Sequence, residues 1–245
     1  MYKSSWARKK WSGGEPNKKS RVWSGRRRER AEVSTSSPTG PVIGPLVIAG
    51  VTIEKARIGE IGLLGVKDSK LLSTIQRRKL AAEIRRVACN ISITELSPAE
   101  IDKSVLKGKK LRKLNYLEAT AMAKVIKKLD PTVAYVDSSD VQSERFAKDI
   151  LELLPKKIKI VSEHHADEKY PLVSAASIIA KVTRDERIDE IARIHGDFGS
   201  GYPSDLRTVS FLRDWFMKHG SFPDFVRKSW KTVARIEREL EQSRL

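Results

Sequence analysis

The chain has 245 residues, with 48 lysines and arginines against 31 aspartates and glutamates, a formal net charge of +17 and 40% hydrophobic residues. This length and composition predict a basic chain with one domain of moderate size, or one domain with an appendage. The single cysteine, Cys89, excludes an intramolecular disulfide and a cysteine-based zinc site, and the chain shows no apolar run of membrane-spanning or signal length, so we expect a cytoplasmic protein.

The first forty residues are strongly basic and follow no regular pattern. They contain eleven basic and three acidic residues, a net charge of +8, and three isolated tryptophans, Trp6, Trp11 and Trp23. Such a stretch cannot bury enough apolar area to fold alone, so we expect residues 1–39 to be disordered or non-native. Two interpretations stay open: a nucleic-acid arm that binds phosphates and stacks on bases, or a solvated or incorrectly translated tail.

From Gly40 onward, strand-like and helix-like segments alternate. Residues 46–53 form a β-branched apolar run typical of a buried strand, and Ser73 is a suitable cap for the helix that follows. A second strand is expected at 91–95. Ser97 to Glu100 form a capping box, and a longer amphipathic helix then runs from Leu111 to Leu129.

The second half of the chain continues the alternation. Residues 132–136 are apolar on both faces, which predicts a central strand, and residues 158–162 predict another. Helices are expected around Phe146 to Leu153, over 172–194, from a cap at Ser204 to Gly220, and over 228–241. The order predicts a mixed α/β sheet flanked by helices, followed by further helices packed beside it.

Two aspartates stand where such folds place chemistry. Asp137 directly follows the apolar strand 132–136, and Asp167 lies just past the next strand. Ligands of open α/β sheets bind beyond the carboxyl ends of the strands, and carboxylates there suit a hard divalent cation such as Mg²⁺ or Mn²⁺. Asp167 could instead compensate the charge at a helix start.

Five motifs occur in an order that resembles ribonuclease HII, with the closest likeness to its archaeal branch. They cover about 200 residues from Gly40 to the C-terminus and are GPVIGPLV at 40–47, KDSKLLS at 67–73, VDS at 136–138, ADEKYP with VSAASIIAKVTRD over 166–185, and GSGYPSD at 199–205.

The resemblance implies an RNase H-like mixed sheet over about 40–195 with a C-terminal helical part over about 196–245. It also implies a monomeric hydrolase of DNA replication and repair. Such an enzyme cuts the RNA strand of RNA–DNA hybrids, including ribonucleotides embedded in DNA. Its active site would hold Mn²⁺ or Mg²⁺ on four carboxylates.

The resemblance also suggests roles for particular residues. Asp137 and Asp167 match two of the catalytic, metal-binding carboxylates, and Tyr202 resembles the tyrosine that stacks on the sugar at the RNA-to-DNA junction. Gly40 belongs to a turn that lets the backbone approach the ribose 2′-hydroxyl. The expected phosphate and backbone contacts are Lys70, Ser174, Ser177, Lys181 and Arg184, and each could equally be a solvated or capping residue.

The N-terminal side departs from the family. When Gly40-Pro41 is aligned with the end of the family's Asp-Glu-Ala-Gly-Arg-Gly-Pro motif, Thr35 replaces the aspartate, Ser36 replaces the glutamate and Thr39 replaces the arginine. The preceding residues 26–33 are charged, so they are expected to make a poor central strand.

Three hypotheses follow from this departure. The first is a reading-frame offset upstream of Gly40, since the codons for Asp-Glu read one base late give Thr followed by Ser or Arg. The second is a noncatalytic, nucleic-acid-binding relative. The third is a rearranged active site.

Overall fold

The computed structural model describes residues 30–35, 40–66, 72–107 and 113–242, with residues 30–35 described through their backbone. Of the residues 1–39 expected to be disordered or non-native, 1–29 and 36–39 lie outside these ranges. So do the positions of Lys70 and Ser36.

The described chain forms one five-stranded mixed sheet in the order β3-β2-β1-β4-β5. Strands β1, β2 and β3 are antiparallel neighbours, whereas β1, β4 and β5 run parallel. The strands are β1 Arg30–Thr35, β2 Leu46–Ile53, β3 Asn90–Leu96, β4 Val133–Asp137 and β5 Lys159–Glu163.

The central strand is β1, which corrects the expectation for this region. Val33 pairs with Gly50 of β2 on one side and with Val136 of β4 on the other. Strand 132–136 was expected to be central and is instead its neighbour. The physical reason is that β2 and β4 both need a hydrogen-bonding partner between them, and tertiary pairing overrides the weak strand propensity of a charged segment. The folded unit therefore includes residues 30–35 and does not begin at Gly40.

The helices agree closely with the sequence pattern. Ser73 caps α2 through a complete capping box with Gln76, and Ser97 forms the corresponding bonds with Glu100 at the start of α3. The cap of α8 is Asp205 and not Ser204, because its carboxylate accepts the N–H of Arg207 at 3.0 Å. The helices are α1 Ile58–Leu63, α2 Thr74–Val87, α3 Pro98–Lys107, α4 Lys113–Leu129, α5 Ser143–Leu153, α6 Ala166–Lys169, α7 Pro171–His195, α8 Leu206–His219 and α9 Lys231–Gln242.

The sheet lies between two helical layers, and β2 is buried along its whole length because it is apolar on both faces. On β2, Leu46 and Ile48 face the layer that contains α4 and α5, while Val47 and Ala49 face α2 and α7. A third apolar cluster joins α8 and α9 to the end of α7 and to the segment just before β2. The predicted mixed sheet with helices packed beside it is confirmed. Among the helices described, none has the length and apolar character needed to cross a bilayer.

Candidate active site

Two acidic residues end the neighbouring parallel strands β4 and β5. Asp137 is the last residue of β4 and pairs with Glu163, the last residue of β5. The N–H of Ser138 donates to the carbonyl of Glu163 at 2.9 Å, which keeps the two strand ends level. This is the carboxyl edge of the sheet, where α/β folds bind ligands.

The backbone brings Asp167 to the same edge. The N–H of Ala166 donates to Asp137 Oδ1 at 3.1 Å, so the residue before Asp167 is fixed on the Asp137 carboxylate. His165, with a φ of 54°, turns the chain into α6. The side chain of Asp167 is almost buried, at 8% exposure. The structure therefore brings the two predicted catalytic aspartates together.

Ser174 supports this arrangement from below. It is fully buried, and its hydroxyl donates to the main-chain carbonyl of Asp167. Its expected contact with a phosphodiester track is corrected, since a hydroxyl that is both buried and engaged does not face a nucleic acid. Ser174 holds α6 against the start of α7.

Glu163 was missed from the sequence, although an acid directly after an apolar strand was the same signal that identified Asp137. Its carboxylate accepts Lys169 Nζ at 2.5 Å and the Tyr170 hydroxyl at 2.9 Å. These donors lower the pKa of Glu163 below its ordinary value. The ring of Tyr170 also packs on Tyr135 with centroids 4.7 Å apart. Glu163 thus anchors the junction between β5 and α7.

The end of β1 lies at the same edge. The parallel register pairs Val33 with Val136, so the next step along the two strands sets Ser34 level with Asp137 and Thr35 one residue beyond. The position aligned with the family's first carboxylate is therefore next to Asp137 in the sheet, but a threonine occupies it. Within the described ranges, no group of three or more His, Cys, Asp or Glu side chains is arranged to hold a metal ion.

Helix α7 connects the aspartates to Tyr202. Ser174 lies beside Asp167, and Arg184 lies ten residues later, about 15 Å along the helix. Arg184 donates to the Tyr202 hydroxyl, and its guanidinium carbon is 4.9 Å from the centroid of the tyrosine ring. Between them, Ser177 is nearly buried and Lys181 is half-buried. Arg184 therefore joins α7 to the loop that carries Tyr202, a contact that the sequence did not predict.

Gly40 begins a buried segment that runs to Pro45. Its carbonyl accepts Trp230 Nε1 at 3.4 Å. The N–H groups of Val42 and Ile43 both donate to the carbonyl of Gly201, at 2.7 and 3.2 Å. The segment that follows β1 is therefore bonded to the turn that carries Tyr202.

Two buried charged residues near these elements were also missed. Burial raises the pKa of Glu118 on α4 to about 7, an effect partly offset by Ser139 and Arg227. Desolvation lowers the pKa of Arg227 to about 10. Each lies in an ordinary amphipathic or loop sequence, so no local pattern identified them.

Comparison with known proteins gives concordant matches. Residues 38–233 match the family model described as Ribonuclease HII. A ribonuclease HII of Pyrococcus abyssi is 47% identical over 208 residues, which cover 84% of this chain and 90% of the relative. The crystal structure of the ribonuclease H2 from Pyrococcus horikoshii OT3 has a TM-score of 0.79 at 40% identity and covers 87% of this chain and 99% of that one. A structure described as the PCNA:RNase HII complex from Archaeoglobus fulgidus has a TM-score of 0.75 at 42% identity, with coverage of 84% and 96%.

Proposed function

The chain belongs to the ribonuclease HII family, and from this premise we propose that Asp137 and Asp167 are the carboxylates with which it cleaves its substrate. The protein is a ribonuclease H, an endonuclease that hydrolyses RNA in RNA–DNA hybrids. The observation that supports the proposal is the bond from the Ala166 N–H to Asp137 Oδ1, because Ala166 directly precedes Asp167 in the chain. The alternative of a binding protein without activity is not favoured by the relatives.

Enzymes of this family use divalent metal ions, and the site fits one only in part. Asp137 and Asp167 offer the hard oxygen ligands that Mg²⁺ and Mn²⁺ prefer. An ion held there would polarise the phosphodiester and favour ionisation of the attacking water. A two-ion site needs further carboxylates, and positions 35 and 36 supply neutral hydroxyls instead. We therefore expect the chain with this sequence to cleave weakly.

The other residues position the reacting groups. The N–H of Ala166 fixes one oxygen of Asp137, and Ser174 fixes the backbone of Asp167. Lys181 and Ser177 lie on α7 between the aspartates and Tyr202, where a cation and a hydroxyl suit a phosphodiester backbone. Lys70 adds a further phosphate contact in this proposal.

Tyr202 selects the substrate in this proposal. Arg184 holds its hydroxyl and lies against its ring, so the aromatic face has a fixed orientation for stacking on a sugar or base. Gly40 allows the backbone to approach a ribose 2′-hydroxyl. Ribonucleotides embedded in DNA are then among its substrates, with the protein acting as a cytoplasmic monomer in replication and repair.

The test uses the variant with Thr35→Asp and Ser36→Glu, which supplies the missing carboxylates. In that background, Asp137→Asn and Asp167→Asn should each abolish cleavage of a duplex with one embedded ribonucleotide while leaving its binding largely intact. Glu152→Gln, at an exposed carboxylate of α5, is the matched control and should cleave normally. Near-normal turnover of the Asp137→Asn variant in Mn²⁺ would contradict the assignment.

A further inference from the structure

Arg227 is a buried cation with an unusual set of partners. It is the largest of the fully buried side chains in the described chain, at 1% exposure. Its Nε donates to the carbonyl of Gly44 at 3.0 Å and its Nη2 donates to the carbonyl of Pro45 at 2.8 Å. Its guanidinium carbon lies 4.9 Å from the centroid of the Trp230 ring. The fork of the guanidinium thus holds two consecutive peptide units.

This arrangement contributes geometry more than stability. Removing a guanidinium from water is costly, and hydrogen bonds to neutral carbonyls recover less of that cost than a carboxylate would. An apolar side chain of similar volume would fill the same space without the desolvation cost. What it would not do is fix the orientation of Gly44 and Pro45.

Backbone bonds extend the same contact on both sides. The N–H of Arg227 donates to the carbonyl of Val42 at 2.9 Å, and the N–H of Gly44 donates to the carbonyl of Phe225 at 2.8 Å. The Gly201 carbonyl receives the N–H groups of Val42 and Ile43 from the other side. The segment from Gly40 to Pro45 is therefore held between the Arg227 loop and the Tyr202 turn.

Gly44 shows how closely this segment is packed. Its φ is +89°, a conformation that favours glycine, and a Cβ there would lie 2.8 Å from Ile188 Cδ1 of α7. Ile188 therefore leaves no room for a side chain at position 44, and the close approach of this segment to α7 requires a glycine there. At the same place Arg227 binds the carbonyls of residues 44 and 45.

We propose that Arg227 is a positioning residue for substrate recognition, which joins the Gly40–Pro45 segment to the Tyr202 turn as one rigid unit. This inference rests on the proposed roles of Gly40 and Tyr202 in substrate binding. Arg227 touches no substrate. It sets the spacing between the element that approaches the ribose and the ring that stacks at the junction.

The experiment compares binding of two duplexes by the full chain in Ca²⁺, one all DNA and one with a single embedded ribonucleotide, by fluorescence anisotropy. Arg227→Met keeps the volume and removes both donors. We expect it to lower the preference for the ribonucleotide duplex about tenfold, because the segment and the Tyr202 turn lose their fixed spacing. Arg227→Lys retains the charge and one donor, so it should restore part of the preference.

Arg187→Met is the matched control. Arg187 binds Glu95 through two hydrogen bonds of 2.9 Å, so it joins α7 to β3. It should keep the preference of the parent even if it unfolds more easily. An equal loss in this control would show that Arg227 contributes stability alone and would overturn the proposal, as would an Arg227→Met protein with unchanged preference.

Failure of the proposed function is distinguished by Tyr202→Ala. If the parent and Tyr202→Ala bind both duplexes alike, Tyr202 does not select substrate, and the recognition role of Arg227 falls with it. Amide hydrogen exchange then tests the rigidity of the Gly40–Pro45 segment separately from substrate selection by Tyr202. Faster exchange at Val42 and Ile43 in Arg227→Met, with no change in Arg187→Met, shows the rigid unit, and unchanged exchange contradicts it.

Discussion

The two halves of the active-site edge have the same backbone arrangement and different chemistry. In the half formed by the ends of β4 and β5, both the backbone and the side chains suit an acidic site. The N–H of Ala166 links Asp137 to the residue before Asp167, and Ser174 binds the carbonyl of Asp167. In the β1 half, the strand pairs correctly on both sides, but position 35 is a threonine. The difference teaches that neighbouring strands can determine where a segment lies even when its own residues do not supply the function.

The largest effect is expected from removing the β1 half altogether. A chain that begins at Gly40 lacks the strand between β2 and β4, so it should lose cooperative unfolding and with it the ~5–15 kcal/mol typical of a domain. A chain that begins at Arg30 retains that strand and should unfold cooperatively. Urea titrations followed by circular dichroism measure both. Equal transitions in the two chains would show that residues 30–35 are not part of the sheet.

Restoring the carboxylates should make the two halves equivalent. Thr35→Asp with Ser36→Glu is expected to raise single-turnover cleavage of an RNA–DNA hybrid by ~100-fold or more, because paired metal ions need ligands from both sides of the edge. The control places the same charges in the first residues, as Ser4→Asp with Ser5→Glu, and should leave the rate unchanged. A parent chain already as active as the restored variant would mean that residues 35 and 36 are not aligned with the missing pair.

Glu118 is a buried carboxyl on α4, the helix that packs against β1, and it interacts with Ser139, which follows β4. Burial raises the pKa of this carboxyl from 4.5 to about 7. Between these two pH values the folded protein keeps the proton on Glu118, whereas the unfolded chain loses it. Glu118 therefore lowers the free energy of unfolding as the pH rises. The decrease is absent below pH 4.5, grows between pH 4.5 and pH 7, and reaches about 3 kcal/mol above pH 7.

Glu118→Gln should therefore raise the free energy of unfolding at pH 8 and change it little at pH 4.5. Urea denaturation of both proteins at the two pH values measures the difference. Glu152→Gln alters an exposed carboxylate of α5 and serves as the control. A pH dependence that is identical in the parent and in Glu118→Gln would contradict the buried, protonated state.

The smallest effect is expected from the segment before the sheet. Residues 1–29 carry a net charge of +8. If they bind nucleic acid, each phosphate that they neutralise adds nearly one unit to the slope of log K against log salt concentration. Deleting these residues should reduce that slope by about two units or fewer, because a basic arm places only part of its charge on phosphates. Salt titrations on hybrid, DNA and single-stranded ligands measure it. A loss confined to one duplex type would contradict a purely electrostatic arm.

The sequence predicted the parts of the molecule in which local signals and tertiary structure agree. The capping boxes at Ser73 and Ser97, the apolar strand before Asp137 and the glycine after α8 each act within a few residues, and each prediction was confirmed. Asp137 and Asp167 came together as the carboxyl-edge rule requires.

The rest depended on distant partners. The charges at Arg30 and Glu32 indicated no strand, and only the presence of β2 and β4 on either side makes one. Arg227 bonds to Gly44 and Pro45, which lie far away in the chain. No periodicity or spacing around residue 227 could indicate that contact.

The position of β1 also sets the order in which the molecule can assemble. Strands β1, β2 and β3 form an antiparallel ribbon from nearby sequence, whereas the pairing of Val33 with Val136 closes a long loop. Pairings between distant residues form slowly, and during synthesis β4 emerges well after β1. One edge of β1 is then exposed to water and to other chains for an extended period. An exposed edge of this kind can pair with a strand of another chain, so the nascent protein is open to self-association until β4 arrives.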